Sequence, residues 1–423
     1  MKPEHPEALQ KTAGIIAEYN PFHQGHAYQI AQIRQISGVR YVIAMMSGDF
    51  VQRGAPALLD KYARTRMALL GGADLVVELP CAAATGSAAL FAGEAVRILD
   101  RLGVVDELWF GSEAGDSPLF SALSELLVLE PAAYRLPLRR FLKEGASYPL
   151  ARQKALEEAL YPEASSEKRK ELCHFLETPN NILGLEYCIA LKKQKSSIRP
   201  RTLKRLGGGY HDASLLPGFS SASALRRAIF SSGAEHLENQ FPPEVYSCLL
   251  KLLETEGIVG EEDFSLLLKC LLLRTSFDEL ARYFPPDLAR RILDRRNSFL
   301  SFSQFADLLK TKDRTRSGIQ RGLMRLLLGI PSAFETGVFS RSLPCRTLTD
   351  SGQVRVLGFR RGSAGLLTRI KQAGGLVPAA RPAALPEEAY SADLAASNFY
   401  EAVRSHKTDQ NFRDERTRQP VIL

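Results

Sequence analysis

The sequence predicts an α/β fold, with a Rossmann-like parallel sheet followed by a mainly helical C-terminal region. Three observations predict it. From Ala13 to about Ser112, short apolar runs alternate with amphipathic segments, the pattern of parallel strands joined by crossover helices. Each apolar run ends in a kinked or polar step: Asn20-Pro21, Ser47-Gly48-Asp49, Pro80 and Gly111-Ser112-Glu113. From Glu235 to about Leu328, leucine-rich helical spacing takes over.

The strands are expected at Gly14 to Glu18, Tyr41 to Met46, Leu75 to Leu79 and Glu107 to Phe110. Between them, helices are expected over His26 to Ile36, Asp60 to Leu70 with Asp60 as N-cap, and Ala82 to Leu102. In an open parallel sheet the carboxyl ends of the strands line the ligand crevice, so four such ends converge on one cleft. Residues 118–194 read as a helical insertion. Within it, Thr178-Pro179-Asn180-Asn181 is a turn and a helix start, with Thr178 or Asn180 as cap. A fifth strand is expected over Ile198 to Leu206, its start confined to a sheet edge by Pro200.

Gly207-Gly208-Gly209-Tyr210-His211-Asp212 reads as a flexible loop able to close over a ligand. Next, Phe219-Ser220-Ser221-Ala222-Ser223-Ala224-Leu225-Arg226-Arg227 places hydroxyls at a helix start and arginines one turn later. A strand from Val354 to Phe359 and a helix from Gly362 to Gln372 form a small closing unit. The Ala/Pro-rich and then charged residues 376–423 read as a loosely ordered tail.

At 423 residues the chain exceeds one ordinary domain. The expected division is 13–232, then 233–375, then the tail. No apolar run reaches the roughly eighteen residues of a membrane span, and the N-terminus lacks a signal-type apolar stretch, so a cytoplasmic protein is expected. Six scattered cysteines without a CxxC pair read as buried thiols. The net charge of +8 is uneven: Lys192 to Arg205 and Lys310 to Arg325 are basic, and Glu254 to Asp263 is acidic. Basic stripes of this kind permit RNA binding without requiring it.

The richest segment is Ala13-Gly-Ile-Ile-Ala-Glu-Tyr-Asn-Pro-Phe-His-Gln-Gly-His26, a strand, a turn and a helix start. A spacing of three puts His23 and His26 on one helix face, and Gly25 leaves room for a base or ribose to approach the backbone. The free N–H groups and dipole of a first helical turn suit phosphate. Capping by one histidine and solvation of the other is the plainer alternative. No carboxylate or cysteine follows at zinc-ligand spacing, so no metal ligation is expected.

Asp49 orients a histidine or caps its turn. Gly111 suits close approach of adenine or ribose, with a structural turn glycine as the alternative. Asn180 reads as the ligand-facing residue and Asn181 as the cap. Ser220, Ser221 and Arg226 are candidates for a phosphate lid, against simple helix capping. Glu78 reads as structural, holding Arg64 or Arg66.

The early histidines, the Gly-Ser at a fourth strand end and the late Ser-Ser-x-x-x-Leu-Arg, in that order, resemble the layout of HIGH-type nucleotidyltransferases. A closer resemblance lies in Glu18-Tyr-Asn-Pro-Phe-His-Gln-Gly-His26, Met46-Ser-Gly-Asp-Phe-Val-Gln-Arg-Gly54, Ala73-Asp-Leu-Val-Val-Glu-Leu-Pro80, Phe110-Gly-Ser-Glu113, Pro179-Asn-Asn-Ile-Leu-Gly-Leu-Glu-Tyr187 and Lys204-Arg205…Tyr210-His-Asp212. These look like the bacterial tRNA(Met) cytidine acetate ligase family from about residue 13 to 230, and more weakly at Ile319-Gln-Arg321 and Arg355-Val-Leu-Gly-Phe359. Gln24 departs from the family's usual Asn.

The resemblance implies a sheet of nucleotidyltransferase (HUP) type. It also implies an ATP-dependent ligase that makes acetyladenylate from acetate and passes acetyl to N4 of the wobble cytidine of elongator tRNA(Met), giving N4-acetylcytidine. By resemblance, ATP would be bound by Ile16-Ala17-Glu18-Tyr19-Asn20-Pro21-Phe22-His23-Gln24-Gly25-His26-Ala27-Tyr28-Gln29 together with Gly111, Asn180 and Arg205. His23 and His26 would donate to phosphate oxygens, and Arg205 and Arg226 would offset pyrophosphate charge. Magnesium would accompany the triphosphate, held by its oxygens and water. Neither a membrane nor a stable protein partner is implied. The alternatives are a nucleotidyltransferase joining ATP to a small phosphorylated metabolite, and a non-catalytic ATP- and RNA-binding protein.

Overall fold

The computed structural model describes residues 11–146, 148–161, 166–205, 218–312, 314–331 and 347–423. Its strands are β1 (Thr12–Ala17), β2 (Tyr41–Ser47), β3 (Phe50–Val51), β4 (Ala55–Pro56), β5 (Leu75–Leu79), β6 (Glu107–Ser112), β7 (Arg199–Lys204), β8 (Gln353–Phe359), β9 (Val377–Ala379) and β10 (Val421–Ile422). The main sheet runs β10-β8-β5-β2-β1-β6-β7, with β9 beside β8. Its central part, β5-β2-β1-β6-β7, is parallel, whereas β8 joins β5 antiparallel. β3 and β4 form a separate hairpin.

Crossovers are made by α1 (Gln24–Ser37), α2 (Lys61–Leu70), α3 (Cys81–Ala84) and α4 (Ala88–Arg101). The insertion comprises α5 (Leu119–Leu129), α6 (Ala132–Lys143), α7 (Tyr148–Leu160), α8 (Ser166–Glu177) and α9 (Pro179–Lys193). After β7 come α10 (Ala222–Ser232), α11 (Pro243–Glu256), α12 (Ser265–Arg274), α13 (Phe277–Ala281), α14 (Pro286–Arg295), α15 (Phe302–Leu309) and α16 (Arg316–Leu328). Helices α17 (Ala364–Ala373) and α18 (Glu387–Thr408) complete the chain.

The continuous apolar runs are explained by burial on both faces of the sheet. In β2, Tyr41, Ile43 and Met45 enter one core with α4 and the insertion, while Val42, Ala44 and Met46 enter another with α1, α2, α10 and α11. A third core holds α12 to α16, and Phe50 of the hairpin and Tyr400 of α18 belong to it. β7 lies at the edge, where Pro200 removes no ladder hydrogen bond that a central strand would need.

Four expectations change. The helix expected over Ala82 to Leu102 breaks at Thr85-Gly86, and Ser87 caps α4 by accepting from Leu90 N–H at 3.3 Å. The strand at Val354 to Phe359 belongs to the main sheet as β8 instead of a separate small unit. The tail expected to be loose is ordered through β9, α18 and β10, with Tyr390, Asp393, Tyr400, Glu401, Arg404 and Glu415 buried. Its charges signalled solvation in sequence, but they find partners in the fold: Glu401 with Arg404 at 2.7 Å, Arg413 with Glu256 at 2.5 Å and Glu415 with Lys61 at 3.0 Å. Of the cysteines expected to be buried, Cys81 and Cys188 are. Cys173 and Cys248 are half-buried, Cys270 is exposed on α12, and Cys345 lies outside the described residues, as does Gly207 to Asp212.

Candidate functional site

β1 ends in a turn held from several sides. Tyr19 takes a left-handed φ of 46°, the Asn20-Pro21 peptide is cis, and His23 is the extended N-cap of α1. Asn20 Oδ1 accepts the Leu58 N–H at 2.8 Å, and the Asn20 carbonyl accepts from Arg226 at 2.6 Å. Arg64, fully buried, donates to the carbonyls of Glu18 at 2.6 Å, Ser47 at 3.1 Å and Gly48. One guanidinium therefore joins the carboxyl ends of β1 and β2, which sets the floor of the crevice. Phe22 packs where a Cβ on Gly71 would stand 2.1 Å from its ring. Its ring centroid lies 5.4 Å from that of His26.

The histidines lock one another. The Gly25 N–H donates to His23 Nδ1 at 3.1 Å, and the His23 N–H donates to His26 Nδ1 at 3.2 Å, with ring centroids 3.9 Å apart. Both Nδ1 lone pairs are thus occupied, so each neutral ring carries its proton on Nε2. Burial, then the charges of Arg205 and Arg226, pull His23 down to about 3. Burial, then His23 and Arg205, hold His26 well below the usual imidazole range. The pair is therefore neutral at physiological pH and presents two Nε2–H donors. A Cβ on Gly25 would meet His23 Cε1 at 2.9 Å, so the bareness of Gly25 also admits the imidazole. His23 caps α1 through Nδ1, and the cap leaves its Nε2 unused.

The later motifs reach this turn. Arg205 follows edge strand β7, donates its N–H to the Ser112 carbonyl at 3.0 Å, and lies over Gly111, where a Cβ would stand 3.3 Å from its Cγ. Ser221 caps α10 by accepting the Ala224 N–H at 3.2 Å, and the buried Ser220 donates its N–H to Gln240 at 3.1 Å. Tyr28 on α1 meets Phe219 edge to face at 5.8 Å. With Arg226 on the Asn20 carbonyl, the α10 start is seated on the α1 start.

Other candidates engage neighbouring elements of the fold. Asp49 Oδ1 accepts the Lys61 N–H at 2.7 Å, at the start of α2, instead of orienting a histidine. Asp60 caps the same helix through Ala63 N–H at 2.7 Å. Burial raises the Asp49 carboxyl to about 6 even with Lys61 and Arg64 opposing. Glu78 pairs with Lys61 Nζ at 2.7 Å, not with Arg64 or Arg66. Asn180 Nδ2 donates to Glu113 at 2.6 Å, and the Asn181 N–H reaches the same carboxylate at 3.1 Å. Glu113 thus satisfies the α9 N-terminus and ties the Gly-Ser-Glu segment to Pro179-Asn-Asn. Sequence reading missed Glu113, Lys61 and the carbonyl-binding role of Arg64.

Among the described residues, no three His, Cys, Asp or Glu side chains are arranged to hold a metal ion, and no helix is long and apolar enough to cross a membrane. Two neutral N–H donors at a helix N-terminus, with two arginines acting on them, suit the oxygens of a polyphosphate.

A parallel sheet whose first strand ends in paired imidazoles, with a late arginine folded onto that turn, defines a nucleotidyl-transferring class of site. Residues 10–415 match the HIGH Nucleotidyl Transferase family. The tRNA(Met) cytidine acetate ligase of Acetivibrio thermocellus is 36% identical over 376 residues, 86% of each chain. That of Alkaliphilus metalliredigens is 33% identical over 420 residues, 96% of this chain and 97% of its own. Crystal structures of Thermotoga maritima TmcAL, apo and bound with alpha-thio ATP, superpose with TM-scores of 0.86 and 0.85 at 30% identity, covering 98% of this chain and 99% of theirs. The chain belongs to the HIGH nucleotidyl transferases and, among them, to the tRNA(Met) cytidine acetate ligase family.

Proposed function

We propose that this chain activates acetate with ATP and transfers the acetyl group to N4 of the wobble cytidine of elongator tRNA(Met). The relatives named for that ligase activity support the reaction, and the related TmcAL bound with alpha-thio ATP supports the nucleotide. At this chain's own residues, the reading rests on the two neutral Nε2–H donors of His23 and His26 beside Arg205 and Arg226.

In the first step an acetate oxygen attacks the α-phosphorus of ATP and the bond to pyrophosphate breaks. The negative charge that develops on the leaving pyrophosphate is met by the imidazole donors and by Arg205 and Arg226, so stabilisation comes from prearranged dipoles and charges without a covalent enzyme intermediate. In the second step the cytidine amine attacks the acetyl carbonyl, AMP leaves, and the amine loses a proton. Magnesium would reach the site with the triphosphate, bound through phosphate oxygens and water, since the described residues offer no dedicated cage.

The test is acetate-dependent formation of AMP and pyrophosphate from ATP, with and without elongator tRNA(Met), followed by nucleoside analysis. N4-acetylcytidine is the expected product. Turnover with a phosphorylated metabolite and none with acetate would instead identify a metabolite nucleotidyltransferase. ATP binding without turnover under any condition would identify a binding protein.

A further inference from the structure

The basic stretch from Lys310 to Arg321 is less uniform in the fold than in the sequence. Arg314 donates twice to Asp287, at 2.7 Å each, and Arg316 pairs with Asp307 at 2.8 Å. Farther along α16, Arg325 donates to the carbonyls of Ala82 at 2.9 Å and Pro331 at 2.6 Å. These three guanidiniums are engaged within the protein.

Arg321 differs. It is half-buried, and among the described residues its guanidinium has no carboxylate, carbonyl or hydroxyl partner. Burial lowers its pKa, and among the described residues no carboxylate opposes that shift. Removing a guanidinium from water without supplying an acceptor costs free energy that folding alone does not recover.

Its location relates this charge to the candidate site. The hairpin tip is pressed against α16 at this residue: a Cβ on Gly54 would stand 2.3 Å from the Arg321 backbone nitrogen, and Gly54 has a φ of 74°. Two residues earlier, the Gln52 N–H donates to Glu18 Oε1 at 3.0 Å, and Glu18 lies in the segment that turns into His23. Two extended residues span at most about 7 Å. Yet the arginines that act on His23 are Arg205 and Arg226, the one that acts on His26 is Arg205, and Arg321 is not among them. Arg321 therefore stands beside the candidate nucleotide site without belonging to its phosphate cradle.

We propose that the Arg321 guanidinium is a subsite for a backbone phosphate of the RNA substrate, placed where the β3–β4 hairpin meets α16. The identity of the RNA rests on the ligase reading above; the anion subsite rests on the geometry of Arg321. A planar fork of N–H donors fits a phosphodiester in two-point contact, and an incoming phosphate supplies the acceptor that the described residues do not. The hairpin holds Gln52 against Glu18, just before the turn, at one end and Gly54 against Arg321 at the other. A nucleotide held at Arg321 would thus lie one hairpin away from the residues before His23.

The experiment compares wild type, Arg321→Gln and Arg321→Lys as full-length proteins. Binding of elongator tRNA(Met) transcript is titrated across a salt series, and ATP binding and thermal midpoint are measured alongside. Arg321→Gln is expected to weaken tRNA binding about tenfold and to reduce the salt slope by about one. Its ATP affinity should be unchanged, and its thermal midpoint equal or higher, because an unpaired charge has left a half-buried place. Arg321→Lys should keep the salt slope and recover part of the affinity.

Unchanged tRNA affinity and salt slope in Arg321→Gln would overturn the proposal. So would a rise in the acetate or ATP requirement with tRNA binding intact, which would assign the charge to a small substrate. A lower thermal midpoint with ATP and tRNA binding both reduced would make Arg321 structural and overturn it too. If wild type shows the Arg321-dependent slope but yields no N4-acetylcytidine, the subsite stands and the ligase reading fails.

Discussion

The Arg226 guanidinium donates to the Asn20 carbonyl at 2.6 Å, joining residues 206 positions apart in the chain. Asn20 begins the turn that delivers His23, and its side chain already holds the Leu58 N–H. Arg226 thus combines two functions: it fixes the backbone that positions the imidazoles, and its charge acts on His23. Arg226→Ala is expected to cost about 1–3 kcal/mol in urea unfolding, since a carbonyl loses its donor. It should also weaken ATP binding, while Arg226→Lys should restore more of the stability than of the affinity. A variant that loses ATP affinity with no change in unfolding would limit Arg226 to ligand contact.

The histidine pair predicts a pH dependence with a definite sign. His23 in the fold is lowered to about 3, against about 6.5 when unfolded. Between those values the unfolded chain binds a proton that the native chain does not, so stability is full above about pH 6.5 and falls as pH drops toward 3. One such group contributes a slope of about 1.4 kcal/mol per pH unit. His26, also lowered, adds in the same direction. His23→Gln should reduce the slope of unfolding free energy between pH 6 and pH 4 by about that amount. An unchanged slope would mean that His23 is not held neutral.

Asp49 gives a way to separate scaffold from chemistry. Its carboxylate accepts the Lys61 N–H at 2.7 Å, and an asparagine amide oxygen can accept the same bond. Asp49→Asn is expected to keep ATP affinity and to unfold within about 1 kcal/mol of wild type, whereas Asp49→Ala should lose about 1 kcal/mol or more because the buried Lys61 N–H is left without its acceptor. Loss of acetyl transfer in Asp49→Asn with intact stability and ATP binding would place the carboxylate among the reacting groups.

What could be read in the sequence follows from how local each signal is. The run Tyr41 to Met46 shows a strand because burial on both faces needs no partner to be named. His23, Gly25 and His26 form their hydrogen bonds within four residues, so their motif was legible as a helix start. Glu113 was not legible as the group that satisfies Asn180 and Asn181, because it comes from 67 and 68 residues away. The same holds for Lys61, whose partners arrive from β5 and from the last residues of the chain. Composition assigned those last residues to solvent, since a charged segment looks the same whether water or a buried counter-ion receives it.

The Phe22–Gly71 contact predicts a distant route to the site. A methyl added at Gly71 would lie 2.1 Å from Phe22 Cζ, so Gly71→Ala must displace the ring. Phe22 is fully buried, its ring touches those of Tyr19 and His26, and it precedes His23 directly. Overpacking of this kind costs about 1–3 kcal/mol. Because the displaced ring belongs to the turn itself, ATP affinity should fall together with stability. Gly71→Ala combined with Phe22→Leu, which leaves room for the methyl, should recover stability to a larger extent than either change alone predicts. Measured unfolding free energies of the two single variants and the double variant decide this: simple additivity would show that the two residues do not share the space the fold gives them.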